Sequence, residues 1–139
     1  MRNLQVGDVV GVTVNVFGFP IFHVGLVTQV GWNGVRVISN SKKNGKVVEE
    51  SLEAFASGGR VVPHRTLRPR NRAAAVAWAR RKAGKPWSVW DNCEHFVSEA
   101  CQQGRSSPQL VKGLALGGLA LLAVVGTATT AAASSAGRR

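Results

Sequence analysis

The sequence predicts an α+β domain, an antiparallel sheet packed on helices, followed by a hydrophobic C-terminal segment. Three observations carry this. Residues 4–38 are rich in Val, Ile, Phe and Thr and are broken by Gly7, Gly11, Gly18 and Pro20, the punctuation of short strands and turns. Helix-patterned stretches with capping residues fill the second half. From Gly113 to Ala133 no charged residue occurs. At 139 residues the chain has room for one compact domain.

Strands are expected near 8–16, 21–30 and 35–39. The last two are joined by "GWNG", in which Asn33-Gly34 is a strong short-hairpin signal. Residues 40–46, "NSKKNGK", form a polar loop. "VVEESLEAFASGG" reads as a short helix with Leu52, Phe55 and Ala56 on one side and Gly58 ending it. "RVV" at 60–62 is a further strand candidate. After a basic loop, "HRTLRPRN", Asn71 caps a helix "RAAAVAWARRKAG" that Gly84 ends, with Ala75, Val76, Trp78 and Ala79 available for packing. Arg80, Arg81 and Lys82 complement the dipole of its last turn. In "DNCEHFVSE", Asp91 followed by Glu94 has capping-box spacing, which places Cys93 in the first turn of a helix running to about Gln102.

The formal charge is +11, and its placement is informative. Between Ala54 and Trp90 there is no acid, while Arg60, Arg65, Arg68, Arg70, Arg72, Arg80, Arg81, Lys82 and Lys85 all fall there. Such a field attracts polyanions, either nucleic acid or an anionic lipid surface. A solvated basic face without a specific partner is the bland alternative. The 21-residue apolar run 113–133 is near the length that spans a bilayer core, with Lys112 at one end and Arg138 and Arg139 at the other. It reads as a membrane anchor, against the alternative of an apolar tail packed on the domain. The N-terminus lacks the apolar run and cleavage site of a secretory signal. With only Cys93 and Cys101, a disulfide framework is not expected and a reducing compartment fits better.

Cys93 is the candidate nucleophile, because a helix N-terminus lowers a thiol pKa through its dipole and free N–H groups. Asp91 and Glu94 act the other way. One Cys and one His two residues apart, with no second pair, match no zinc pattern, and no metal or other cofactor is expected. His95 stands roughly 200° round the helix from Cys93, at about 100° per residue, too far to serve it as a base. His64 lies in a Pro- and Arg-rich loop, where a solvated role is the better reading. His23, in "IFHVGLV", is often the position of a structural strand histidine, but a strand would hold an imidazole rigidly. By elimination it is the base.

"NCEHFV" at 92–97, preceded by "GKPWSVWD" and by an upstream "HVGLV" on a strand, resembles the lecithin:retinol acyltransferase family, in its phospholipase/acyltransferase branch of the NlpC-type papain-like superfamily. "VGDVV" at 6–10 and "VVEESLEAFASGGRVV" are similar to further family segments, and the likeness covers about residues 4–103. It implies a circularly permuted papain-like fold, with a catalytic domain over 1–105 and a tail over 106–139. Cys93 matches the family nucleophile, His23 its general base, and His95 the motif histidine that is not the base. The third polar position departs from the pattern: alignment favours Ser39 in "VISNS", whereas chemistry favours the amide of Asn40 as an imidazole orienter. The implied activity is cleavage of phospholipid acyl esters through a Cys93 thioester, with backbone N–H groups at the helix start as oxyanion donors. The basic surface and apolar tail suit a protein held on the cytoplasmic side of a membrane, with phospholipid as partner and nucleic acid less favoured. Two alternatives remain open: a papain-like amidase or peptidase, and a catalytically impaired module that binds nucleic acid, membrane or a protein through its basic surface.

Overall fold

A computed structural model describes residues 3–102. The predicted anchor at 113–133 lies outside the described residues. Five strands form one antiparallel sheet: β1 (Val9–Val16), β2 (Phe19–Gly31), β3 (Gly34–Ser41), β4 (Lys46–Ser51) and β5 (Val61–Pro63), in the order β4-β3-β2-β1-β5. Three helices accompany them, α1 (Leu52–Ala56), α2 (Arg72–Arg81) and α3 (Cys93–Ala100). The α+β class and the antiparallel sheet are as the sequence predicts.

The sheet consists of consecutive hairpins, so each strand pairs with the one before it until β5 returns to the far edge of β1. Consecutive apolar residues, Val9-Val10, Leu26-Val27 and Val37-Ile38, send side chains to opposite sides, which gives the sheet two apolar faces. Val9, Val24, Leu26 and Ile38 point to one face, where α2 and α3 pack with Ala75, Ala79, Phe96 and Val97. Val10, Val12, Val27 and Val37 point to the other, covered by Phe55 of α1. Gly25 makes the second face possible: a Cβ there would stand 2.5 Å from Val37 Cγ1 and 2.9 Å from Phe55 Cε2.

The β1–β2 turn is Phe17-Gly18, with φ of 51° and 83°. Both residues are left-handed, the pattern of the tight hairpin turn that suits strand twist, but Phe takes the place that Asn usually fills. A bulky side chain there costs about 1–3 kcal/mol. The β2–β3 turn is one residue earlier than "NG" suggested: Gly31 pairs with Gly34, so Trp32 and Asn33 form the turn and Gly34 adopts φ 96°. A register shift between Val27 and Gln29 leaves Thr28 out of step. Its hydroxyl donates to Glu49 on β4, which also binds Arg80 of α2 at 2.9 Å.

One element differs from expectation. The stretch read as a single helix from Val47 divides: Lys46–Ser51 is strand β4, paired along β3 from Ser41↔Lys46 to Arg36↔Ser51, and only Leu52–Ala56 is helical. The β-branched pair Val47-Val48 finds a strand partner, and tertiary pairing outweighs the helix pattern of the acids that follow. Ser51 caps the helix by accepting from the Ala54 N–H, and Ser57 rather than Gly58 is the C-cap, in the left-handed conformation.

Candidate active site

Cys93 is the first residue of α3, but its cap is not the expected one. Asn92 is the N-cap, its side chain accepting from the N–H groups of Glu94 and His95 at 3.0 and 3.2 Å. Asp91 stands one residue before, nearly buried, in an ion pair with Lys85. Asn is as good a cap as Asp, and an Asp freed from capping can bind a cation instead.

The backbone N–H groups of Val24 and of the start of α3 face the Cys93 sulfur and favour its thiolate form. Strand geometry explains the first. The Val27 N–H turns toward Asp8 on the β1 side, so alternation sends the Val24 N–H toward β3. The β2–β3 ladder ends at Leu26↔Ile38, so Val24 lies beyond the paired register and its N–H is not taken up by that ladder. The two cysteines are free thiols.

His23 is the residue adjacent to Val24, and its Nε2 lies 3.2 Å from Ser39 Oγ, a hydrogen-bonding distance. Its ring packs on Phe55, with centroids 5.0 Å apart. His23 pairs across the ladder with Val12, which places it on the α1 face of the sheet. Asn40 occupies the other face. Only 1% exposed, it donates from Nδ2 to the Asp91 carbonyl, and its Oδ1 has no hydrogen-bond partner among the described residues. The structure thus brings Ser39 to His23, and Asn40 to the loop that leads into Cys93. No hydrogen bond joins His23 to Cys93 among the described residues. The nucleophile candidate and base candidate meet adjacent residues of β2 from opposite faces of the sheet.

The electrostatics follow from enclosure. Burial pushes the Cys93 thiol up to about 11 against the opposing help of the backbone N–H groups, and Glu94 adds to the rise. The expected lowering by the helix N-terminus is outweighed, because desolvation of a thiolate acts more strongly than three amide donors. His23 is lowered to about 4 by burial, so its imidazole is neutral at pH 7 and a weaker base than an exposed histidine. His95 bonds through Nδ1 to the Trp90 carbonyl at 2.6 Å, within its own helix and the preceding turn. His64 is not a freely solvated loop residue: its Nδ1 accepts from the N–H groups of Thr66 and Leu67, and its ring stands 6.0 Å from that of Phe22.

Sequence reasoning missed three participants. A backbone donor such as Val24 N–H leaves no trace in residue identity. The Asn40–Asp91 and Lys85–Asp91 tethers join residues remote in sequence, although buried Asn is itself a signal of a fixed partner. Asn92 carries its own signal, a good capping residue directly before the helix, which the Asp91 reading passed over. Among the described residues no group of three or more His, Cys, Asp or Glu is placed to hold a metal ion. No family model matches the sequence, and no curated protein matches it.

Proposed function

We propose that the chain is a thiol-dependent phospholipase or acyltransferase of the lecithin:retinol acyltransferase type, with Cys93 as nucleophile, His23 as general base and Ser39 orienting the imidazole. The observation that carries this reading is the His23–Ser39 pair at 3.2 Å, next in sequence to Val24, whose N–H faces the Cys93 sulfur from the other side of the sheet. The order of a base-bearing strand before the nucleophile helix agrees with a circularly permuted papain-like fold, and the 113–133 segment serves as the anchor on the cytoplasmic face of a membrane.

In this mechanism His23 accepts the thiol proton and the sulfur attacks the ester carbonyl of a phospholipid. Collapse of the tetrahedral adduct expels the lysolipid alkoxide, which takes the proton from His23, and leaves a Cys93 thioester. Water then releases a fatty acid, or an amine or alcohol accepts the acyl group. Asn92 already occupies the Glu94 and His95 N–H groups, so the Cys93 and Val24 N–H groups are the better oxyanion donors. The His23 ring must turn toward the β2–β3 gap to take the proton, a motion that substrate binding would drive.

The separation of His23 from the sulfur, together with the raised thiol, favours a second reading: a catalytically impaired module of the same fold that binds through its basic surface. Incubation with phosphatidylcholine vesicles separates the two. Release of lysolipid or an N-acylated amine by wild type, reduced about a thousandfold in Cys93→Ser and about a hundredfold or more in His23→Ala, is the expected result. No lipid turnover combined with thiol-probe labelling that ignores His23→Ala would leave the binding module.

A further inference from the structure

We propose that the β1–β2 hairpin is a prong that seats its aromatic tip in the interface of an anionic phospholipid bilayer, presenting the Cys93 end of the sheet to lipid. The inference deepens the membrane reading above and names the surface that makes contact.

The hairpin reaches beyond the rest of the sheet. β1 and β2 pair up to Val16↔Phe19, whereas β3 pairs with β2 only as far as Leu26↔Ile38 and β5 with β1 only as far as Val12↔Val61. Extending the β2–β3 register sets Ser41, the last residue of β3, beside His23. Four residues of β2 lie beyond that level, a reach of about 13 Å at strand rise. At the tip Phe17 is 94% exposed and Phe19 72% exposed. Phe17 keeps this exposure in a left-handed backbone conformation that favours Asn or Gly. Two aromatic rings are therefore held in water where a polar turn would fold more easily.

Charge defines the occupant. From Val9 to Val48 the chain has no acid. The neighbouring turn at the same end of the sheet carries Lys42 and Lys43, and Lys46 opens β4 beside it. Glu49 and Glu50 pair with Ile38 and Val37, farther down the strand. Aromatic tips with lysines set back behind them match the acyl boundary and the anionic headgroups of a leaflet. Only the side chains enter, because the unpaired edges of the prong would lose their water within the hydrocarbon. The Val89-Trp90 turn, also exposed and three residues before Cys93, belongs to the loop that Lys46↔Pro86 ties to this end.

The chain has five phenylalanines, so fluorophenylalanine labelling gives a small fluorine NMR spectrum, assignable with Phe17→Leu and Phe19→Leu. The full chain is mixed with bicelles of phosphatidylcholine and phosphatidylserine carrying a nitroxide on the acyl chain. The expected result is broadening of the residue 17 and 19 signals well beyond those of buried Phe55 and Phe96. Equal broadening of all five, or broadening as strong without phosphatidylserine, overturns the proposal, as does protection of the same two signals by an oligonucleotide alone. Lipid hydrolysis is scored separately. Broadening without turnover sinks the proposed enzyme and leaves the prong, and turnover without broadening does the reverse.

Discussion

At the level of single residues the site is governed by desolvation. His23 is buried and neutral, with its folded-state pKa lowered to about 4 from an ordinary value of 6.5. The unfolded chain therefore binds the proton more readily between those limits, and stability is full above about pH 6.5 and falls as pH drops toward 4. The loss approaches about 3 kcal/mol as an upper figure. Urea denaturation at about pH 7 and about pH 4.5 should show it, and the pH dependence in that window should shrink in His23→Gln, which cannot charge. An unaltered slope in that variant would assign the loss to other groups. Glu49 adds a smaller term of the same direction: burial raises it, but the Arg80 and Thr28 hydrogen bonds and the Arg charges outweigh that and hold it below its usual range. Its partial exposure keeps the stabilisation under about 1 kcal/mol. The place of Cys93 at the start of α3 was legible from the "NCEHFV" stretch, since a capped helix start is a local pattern. The raised thiol was not, because it depends on strands some 70 positions earlier closing over the sulfur.

Among the elements, β1, β2 and β3 were legible because their alternation and turn residues are local signals, and α2 because Asn71 caps a run of good helix formers. β4 was not, since its helix-like acids become strand residues only by pairing with β3. Gly25 tests how tightly the α1 face is fitted. Alanine there meets Val37 and Phe55, both buried, and should cost about 1–3 kcal/mol. Thermal unfolding reads this directly. An unchanged midpoint would show that Phe55 has room to move, and the His23 ring stacked on it would then be loosely held as well.

The whole molecule divides by its own contacts. Residues Met1–Ser106 form one compact unit with a core on each face of the sheet. Among the described residues no helix is long and apolar enough to cross a membrane. Deleting residues 108–139 should leave a monodisperse domain with an unfolding transition close to that of the full chain. Aggregation in size-exclusion chromatography would instead assign the tail a place in the core. The contact between the Cys93 sulfur and the Val24 amide has a further consequence, in time rather than space. It closes a loop of about 70 residues, and every strand of the sheet lies inside or against that loop. Contacts of such long sequence separation form late, since chain closure must precede their reward. During synthesis an N-terminal sheet can pair before residue 93 has left the ribosome, but the thiol gains its amide donor only once α3 has docked. A nascent or truncated chain therefore holds His23 and Ser39 without Cys93 beside them, and the domain assembles its candidate site as one of its last folding events.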